Sequence, residues 1–296
     1  MLKRTLFFSN PYHISTKNQQ LVLYDKDKDE KQTVPIEDIG FIVFEHPQIT
    51  FTMSVLQLLS ENNTAVIFCD NNYMPSSMLF NFETNNVQAK IFREQIETGV
   101  ALKNNLWQQT IKHKIKNQAM LLKKLGKKYQ DILNLKKQVK SGDNGNIEGY
   151  ASRIYWTQLM GGKFRRDRFG HVPNNLLNYG YIILRSGVAR ALSGSGLLPT
   201  LGIFHRNKYN AFALADDIME PYRPFVDELV YHIMEEYEDC SELNTELKTR
   251  LLQILTVDVV FEKIKRPLMV GLSQTTASLV KCYLKEKRKI EFPVLL

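Results

Sequence analysis

The sequence predicts an α+β protein, with a small β-rich N-terminal domain followed by a larger all-α C-terminal domain. Three observations carry this. Short β-branched and aromatic runs bounded by turn residues recur over the first 72 residues. An Asn-, Ser- and Pro-containing stretch, NNYMPSSMLFNFETNN, then interrupts the pattern. From Val87 onward apolar residues return at three- and four-residue spacing, the period of a helix with one buried face. The expected layout is a β-rich domain over 1–72, a linker over 73–86 and an α-helical domain over 87–296.

In the first domain RTLFFSN, QLVLYD, IGFIVFE and AVIFCD read as strands, and DKDKDEK (25–31) as an exposed turn between two of them. SVLQLLSEN (54–62) places apolar residues at helical spacing and gives one short helix. In the second domain the chain reads as helical from Val87 to Lys140, with Ile111, Ile115, Ala119 and Leu122 on one face. Lys112, Lys114, Lys116, Lys123, Lys124, Lys127 and Lys128 read as its solvated face, a subset being available to phosphate. SGDNGN breaks the pattern. Asn146 is a suitable N-cap for IEGYASRIYWTQLM, which puts Glu148 in the first turn, where an acid favours the helix dipole. GGKFRRDRFGHVPNN is a basic, aromatic-interleaved loop suited to phosphate, and the apolar helix that starts at Asn175 ends at Gly194 to Gly196. Asp217 and Glu220 are three apart and share a helix face, which Pro221 kinks or ends. FVDELVYHIMEEYED, ELKTRLLQILTVDVVFEKI and QTTASLVKCYLKEKRK read as the remaining helices, the last ending in a basic cluster.

Lys and Arg number 39 against 31 Asp and Glu, a net charge of +8, which favours a polyanionic partner, most often nucleic acid and sometimes an anionic membrane surface. A basic protein of unrelated function satisfies the same balance. Cys69, Cys240 and Cys282 are too few and too scattered for a disulfide framework or a zinc site, so free thiols in a reducing cytoplasm are expected. MLKRTLFF lacks a small-residue cleavage site, and no stretch approaches a membrane span. Walker-type glycine loops, G-x-S-x-G elbows, Cys-x-x-Cys pairs and His-Glu-x-x-His are absent from the sequence.

What remains is GIFHRNKYNAFALADDIMEPYRP (202–224). It sets His205 a short distance before Asp216, Asp217 and Glu220. Imidazole with carboxylate oxygens suits Mg²⁺ or Mn²⁺. A lone His is as readily structural and an acidic cluster as readily solvated, and spacing leaves both readings open.

Three separated segments, NIEGYASRIYW (146–156), VPNNLLNYGYIILR (172–185) and GIFHRNKYNAFALADDIMEPYRP, together resemble the CRISPR-associated spacer-acquisition integrase, the universal first protein of CRISPR adaptation. FHRN followed by DIMEPYRP is similar to its type II branch, and KNQQLVLY, VPIEDIGFIVFE and NNTAVIFCDNNYMP are similar to its β-domain. The chain departs from the family at GHVP, near His171, and at Asn175, where Ala is usual. The resemblance implies catalytic metal ligands at Glu148, His205 and Glu220 for Mg²⁺ or Mn²⁺, with Asp217 supporting them. It implies a homodimer built through the β-domain and a complex with the second CRISPR-associated adaptation protein. The type II effector nuclease and an accessory adaptation protein are further partners of that branch. The implied reaction is attack of a DNA 3′-OH on a phosphodiester, inserting double-stranded prespacers into the CRISPR array. Arg165, Arg166, Lys208 and Arg223 are the expected phosphate contacts. A non-catalytic DNA-binding scaffold and a stand-alone metal-dependent repair nuclease are the alternatives.

Overall fold

The computed structural model describes residues 3–81 and 83–296 and divides into two compact units, Met1–Thr84 and Asn85–Leu296. In the first, β1 (Arg4–Phe8), β2 (Tyr12–Lys17), β3 (Gln20–Asp25), β4 (Glu30–Pro35), β5 (Ile39–Phe44) and β6 (Thr50–Phe51) precede α1 (Met53–Glu61), β7 (Ala65–Cys69) and β8 (Pro75–Leu79). They form two four-stranded sheets, ordered β1-β5-β7-β8 and β4-β3-β2-β6. All six residues of β5 are buried. A continuous apolar run of this kind is what a strand flanked on both edges by parallel partners requires, and β1 and β7 are those partners. Ile14, Leu21, Ile39, Ile42, Val55, Leu59 and Val66 belong to one core cluster, drawn from both sheets and α1.

The four strands and the short helix expected here are present. β2 and β4 carry no strand signal in the sequence, because YHISTK and EKQTVP are too polar to show alternation. β8 corrects the expected linker: Pro75–Leu79 pairs antiparallel with β7 inside 73–86. The turn at 25–31 is fastened by Asp25, whose carboxylate accepts the Tyr12 hydroxyl at 3.0 Å and the Asp27 amide at 3.0 Å.

The second unit contains α2 (Gln88–Glu97), α3 (Val100–Lys124), α4 (Gln130–Leu135), α5 (Ile147–Met160), α6 (Asn174–Gly194), α7 (Ala213–Met219), α8 (Arg223–Glu236) and α9 (Thr245–Leu252). A hairpin, β9 (Asp258–Phe261) and β10 (Ile264–Pro267), precedes α10 (Leu268–Tyr283). The single run expected from 87 to 140 is thus three helices. α3 ends at Lys124, and Gly126 just beyond it adopts φ +67°; the Lys127 amide reaches back to the Leu122 carbonyl at 2.8 Å, a closure that a left-handed residue permits. Two further readings are corrected. Lys114, read as solvated, is buried on α3 between Thr110, Ile111, Gln118 and Leu121. ELKTRLLQILTVDVVFEKI is not one helix: α9 ends at Leu252, and its last seven residues supply β9, the turn and the first residue of β10.

α6 is buried along most of its length and lies against α7, α8, α9 and α10. Asn175, where the sequence departs from the family pattern, donates from Nδ2 to the Cys240 carbonyl at 2.8 Å and ties α6 to the segment after α8. Among the described residues no helix is long and apolar enough to cross a membrane.

Candidate active site

The site is assembled from α3, α5, the loop before α7, and the turn between α7 and α8. α5 is held at its start by two caps. Asn146, at φ +48°, accepts the Gly149 amide, and Asp143 accepts the amides of Ile147 and Glu148 at 3.1 and 3.0 Å. These caps occupy otherwise unpaired first-turn amides and fix where Glu148 begins. Its carboxylate accepts the Ser152 hydroxyl at 2.8 Å and contacts the Lys114 ammonium.

Glu220 stands where α7 gives way to the single turn Glu220–Tyr222, as Pro221 requires. Asp217 and Glu220 do not share one environment. Glu220 faces the Arg223 guanidinium at 2.8 Å and the Lys114 ammonium at 2.6 Å. Lys114 therefore lies between two carboxylates that are 72 residues apart in the chain. The Lys114 and Glu220 side chains are 10% and 8% exposed, that of Glu148 28%. Burial pushes the Glu220 carboxyl up, but Arg223 and Lys114 outweigh it and hold the group at about 2. Burial likewise opposes charge on Lys114, and the two glutamates outweigh that and raise it. Oε2 of Glu220, close as it is to the ammonium, receives no aligned hydrogen bond and is fully buried.

His205 is positioned by Asp217. Oδ2 of Asp217 accepts the amides of Ile203 at 2.6 Å and Phe204 at 2.9 Å, and Oδ1 accepts the His205 amide at 3.3 Å and the Nδ1 side of its ring at 2.5 Å. Four donors on one fully buried carboxylate fix both the loop and the ring. Gly202 makes the approach possible, because a Cβ there would lie 2.4 Å from the His205 carbonyl oxygen. Trp107 of α3 stacks on Phe204 at 4.3 Å and meets the His205 ring edge-on at 5.9 Å. The bond to Asp217 raises the pKa of His205, against the effect of partial burial. With Nδ1–H given to Asp217, Nε2 carries the free lone pair.

The predicted residues thus fall into two linked pairs, Glu148 with Glu220 through Lys114, and His205 with Asp217. Asp216 is set apart, accepting Asn210 Nδ2 at 2.7 Å. Among the described residues no group of three or more His, Cys, Asp or Glu is gathered closely enough to hold an ion, and the Lys114 ammonium fills the gap between the two glutamates. The donor set still fits a hard divalent cation: two carboxylates already meet at one cationic group, one oxygen is buried without an aligned donor, and an imidazole nitrogen is free.

Of the expected phosphate contacts, Arg166 donates to Asn174 at 2.9 Å and Asn178 at 2.6 Å, folding the basic loop onto α6. Arg223 is committed to Glu220 and lies over the Tyr181 ring. Arg165 is exposed and bonded to the carbonyls of its own turn, and Lys208 is exposed over Tyr209. Sequence reasoning missed Lys114, Trp107 and Ser152. A signal for Lys114 did exist, since Trp107, Lys114 and Leu121 recur every seven residues and a charge inside such a stripe needs a buried partner.

The family model described as CRISPR associated protein Cas1 matches residues 6–240. The chain belongs to the Cas1 family. The match includes Glu148, His205, Asp217 and Glu220. Among its Cas1 relatives, the CRISPR-associated endonuclease Cas1 of Neisseria meningitidis serogroup C (strain 8013) is 35% identical over 265 residues, covering 89% of this chain and 86% of the relative. The CRISPR-associated endonuclease Cas1 1 of Francisella tularensis subsp. novicida (strain U112) is 27% identical over 274 residues, covering 85% of each. The fold is similar to that of a casposase bound to integration product, with TM-score 0.81, 20% identity, and coverage of 99% of this chain and 93% of that one. It is also similar to a Cas1 protein from Thermotoga maritima, with TM-score 0.75, 17% identity, and coverage of 95% and 97%.

Proposed function

We propose that this chain is a divalent-metal-dependent DNA integrase and endonuclease of CRISPR adaptation, of the type II branch. In this reading a DNA 3′-OH attacks a phosphodiester of the array, and no side-chain nucleophile is required. The observation that carries it is the convergence of Glu148 and Glu220, from separate helical segments, on one buried cation position, beside a histidine oriented by Asp217. Relatives named endonucleases and a fold shared with an integration-product complex support it.

Glu148, Glu220 and Nε2 of His205 would hold one Mg²⁺ or Mn²⁺, which stabilises charge on the transferred phosphate and lowers the pKa of the attacking hydroxyl. The chain's own residues do the rest. Arg223 keeps Glu220 ionised and aimed. Asp217 holds the His205 tautomer, and Trp107 and Phe204 wall the ring. Lys114 balances the two carboxylates when no other cation does. The partners in this reading are double-stranded DNA, a second copy of the chain joined through the β-rich unit, and the second CRISPR-associated adaptation protein. A fold similar to that found in solved Cas6-RT-Cas1–Cas2 complexes supports the last of these. The type II effector nuclease and an accessory adaptation protein complete the assembly.

The test is insertion of a labelled prespacer into a supercoiled array plasmid with Mn²⁺. His205→Ala abolishes insertion, and Glu220→Ala abolishes it while prespacer affinity survives. Insertion at the normal rate by His205→Ala overturns the site, and a chelator-insensitive wild type overturns the metal.

A further inference from the structure

A second cationic site lies on the far side of α3. Trp107 and Lys114 point to the catalytic side, whereas Gln109, at about 100° per residue, is turned roughly 200° from Trp107. On that side a cavity of about 760 Å³ is lined by Lys112, Lys136, Lys285, Lys287, Arg288 and Lys289, with Leu102 and Ile290 also in its wall. The four tail cations follow α10 and lie beyond the residues that the family model matches.

The cavity is held in shape. Gln109 clamps the tail backbone, donating from Nε2 to the Arg288 carbonyl at 2.9 Å and accepting the Ile290 amide on Oε1 at 2.9 Å. His113, in the wall, gives its Nδ1 side to the Gln109 carbonyl at 3.0 Å. Lys287 pairs with Glu291 at 2.5 Å. Lys112, Lys136, Lys285, Arg288 and Lys289 have no carboxylate partner among the described residues. Five unpaired cations around one concavity repel one another, and an anion relieves that repulsion.

The lining also indicates which anion. It contains no carboxylate to read ribose or base hydrogens and no Phe, Tyr or Trp on which a base would stack. Such a surface reads charge and leaves base identity unread. We infer that this cavity is a second DNA-backbone site, engaging phosphates of a duplex on the side of α3 away from Glu148 and Glu220. The inference rests on the DNA-binding reading above and adds a place where DNA is held without reaching the reacting centre.

The test is the salt dependence of binding of a fluorescein-labelled random-sequence duplex to the full chain. The comparison is with the triple variant Lys285→Asn, Arg288→Gln, Lys289→Gln. Asn suits position 285, where φ is +62°, and the Gln109 clamp, which uses only backbone, is retained. Three lost phosphate contacts lower the log–log salt slope by about 2–3 and weaken binding about 100-fold near 0.1 M salt. Lys112→Gln, on α3 rather than the tail, lowers the slope by about 1. If the wild type binds duplex and both variants keep its affinity and slope, this inference falls and the DNA reading stands. A wild type without salt-dependent duplex affinity overturns both. ATP that displaces duplex from the wild type at matched phosphate concentration, but not from the triple variant, shows a free-nucleotide pocket and overturns the backbone assignment.

Discussion

Replacing Lys114 with Met should make the protein dependent on metal for its stability. The side chain keeps its length and its packing on α3 but loses the ammonium that separates Glu148 from Glu220. Breaking a buried ion pair by removing one partner costs about 3–5 kcal/mol. Glu148 is partly solvated and Arg223 still faces Glu220, so the lower end applies, about 3 kcal/mol. For a unit of this size that is a fall in Tm of roughly 6–12 °C in chelator. Mn²⁺ supplies the missing charge. Because the ammonium no longer competes for the two carboxylates, Mn²⁺ should bind about 100-fold more tightly than to the wild type. At 100 times its Kd it returns about 2.7 kcal/mol. The assay is thermal unfolding of both proteins in chelator and across a Mn²⁺ titration. Equal Tm values in chelator, with equal Mn²⁺ responses, would refute the claim that Lys114 occupies the cation position.

Four further outcomes follow from the structure. Asp217→Asn replaces one of the two acceptor oxygens with an NH2 donor, so the side chain no longer serves both the His205 ring and the amides of Ile203 and Phe204, and should lower strand transfer or Mn²⁺ affinity about 10–100-fold, measured by titrating Mn²⁺ into the insertion assay. Gly202→Ala places a Cβ against the His205 carbonyl and should abolish insertion while far-UV circular dichroism stays native; normal insertion would show that the loop yields. In acid, Glu220 is held at about 2 against an ordinary 4.5, so its ion pairs stabilise above about 4.5 and are lost as pH falls towards 2, up to about 3 kcal/mol. Asp227 acts oppositely: burial raises it to about 6, outweighing the hydrogen bonds from the Tyr155 and Tyr181 hydroxyls that favour its charged form, so stability falls as pH rises through the window from 3.8 to 6. Urea unfolding against pH should show the acid limb flattened in Glu220→Gln and the upper window flattened in Asp227→Asn.

What the sequence made legible was local. The Asn146 cap and Glu148 in the first turn of α5, the break at Pro221, and the apolar run of β5 each follow from neighbouring residues, and each is where it was expected. What it hid was long-range pairing. Lys114 meets Glu148 across 34 residues and Glu220 across 106, and no local pattern states that distance. The β9–β10 hairpin was hidden for another reason. Its two-residue turn is Glu262–Lys263, both at positive φ, where Asn-Gly is the usual signal. Without that signal the run of Val and Ile continued the helix before it. Arg166 and Arg223 read as phosphate contacts because they are basic and close to the motif; folding commits them to Asn174, Asn178 and Glu220.

The most direct measurement is anomalous diffraction from crystals of the chain equilibrated with Mn²⁺. The account predicts one peak between Glu148 and Glu220, about 2.0–2.2 Å from a carboxylate oxygen of each and from Nε2 of His205, with the Lys114 ammonium displaced. A peak elsewhere, or Lys114 still bridging the two glutamates at saturating Mn²⁺, would contradict it.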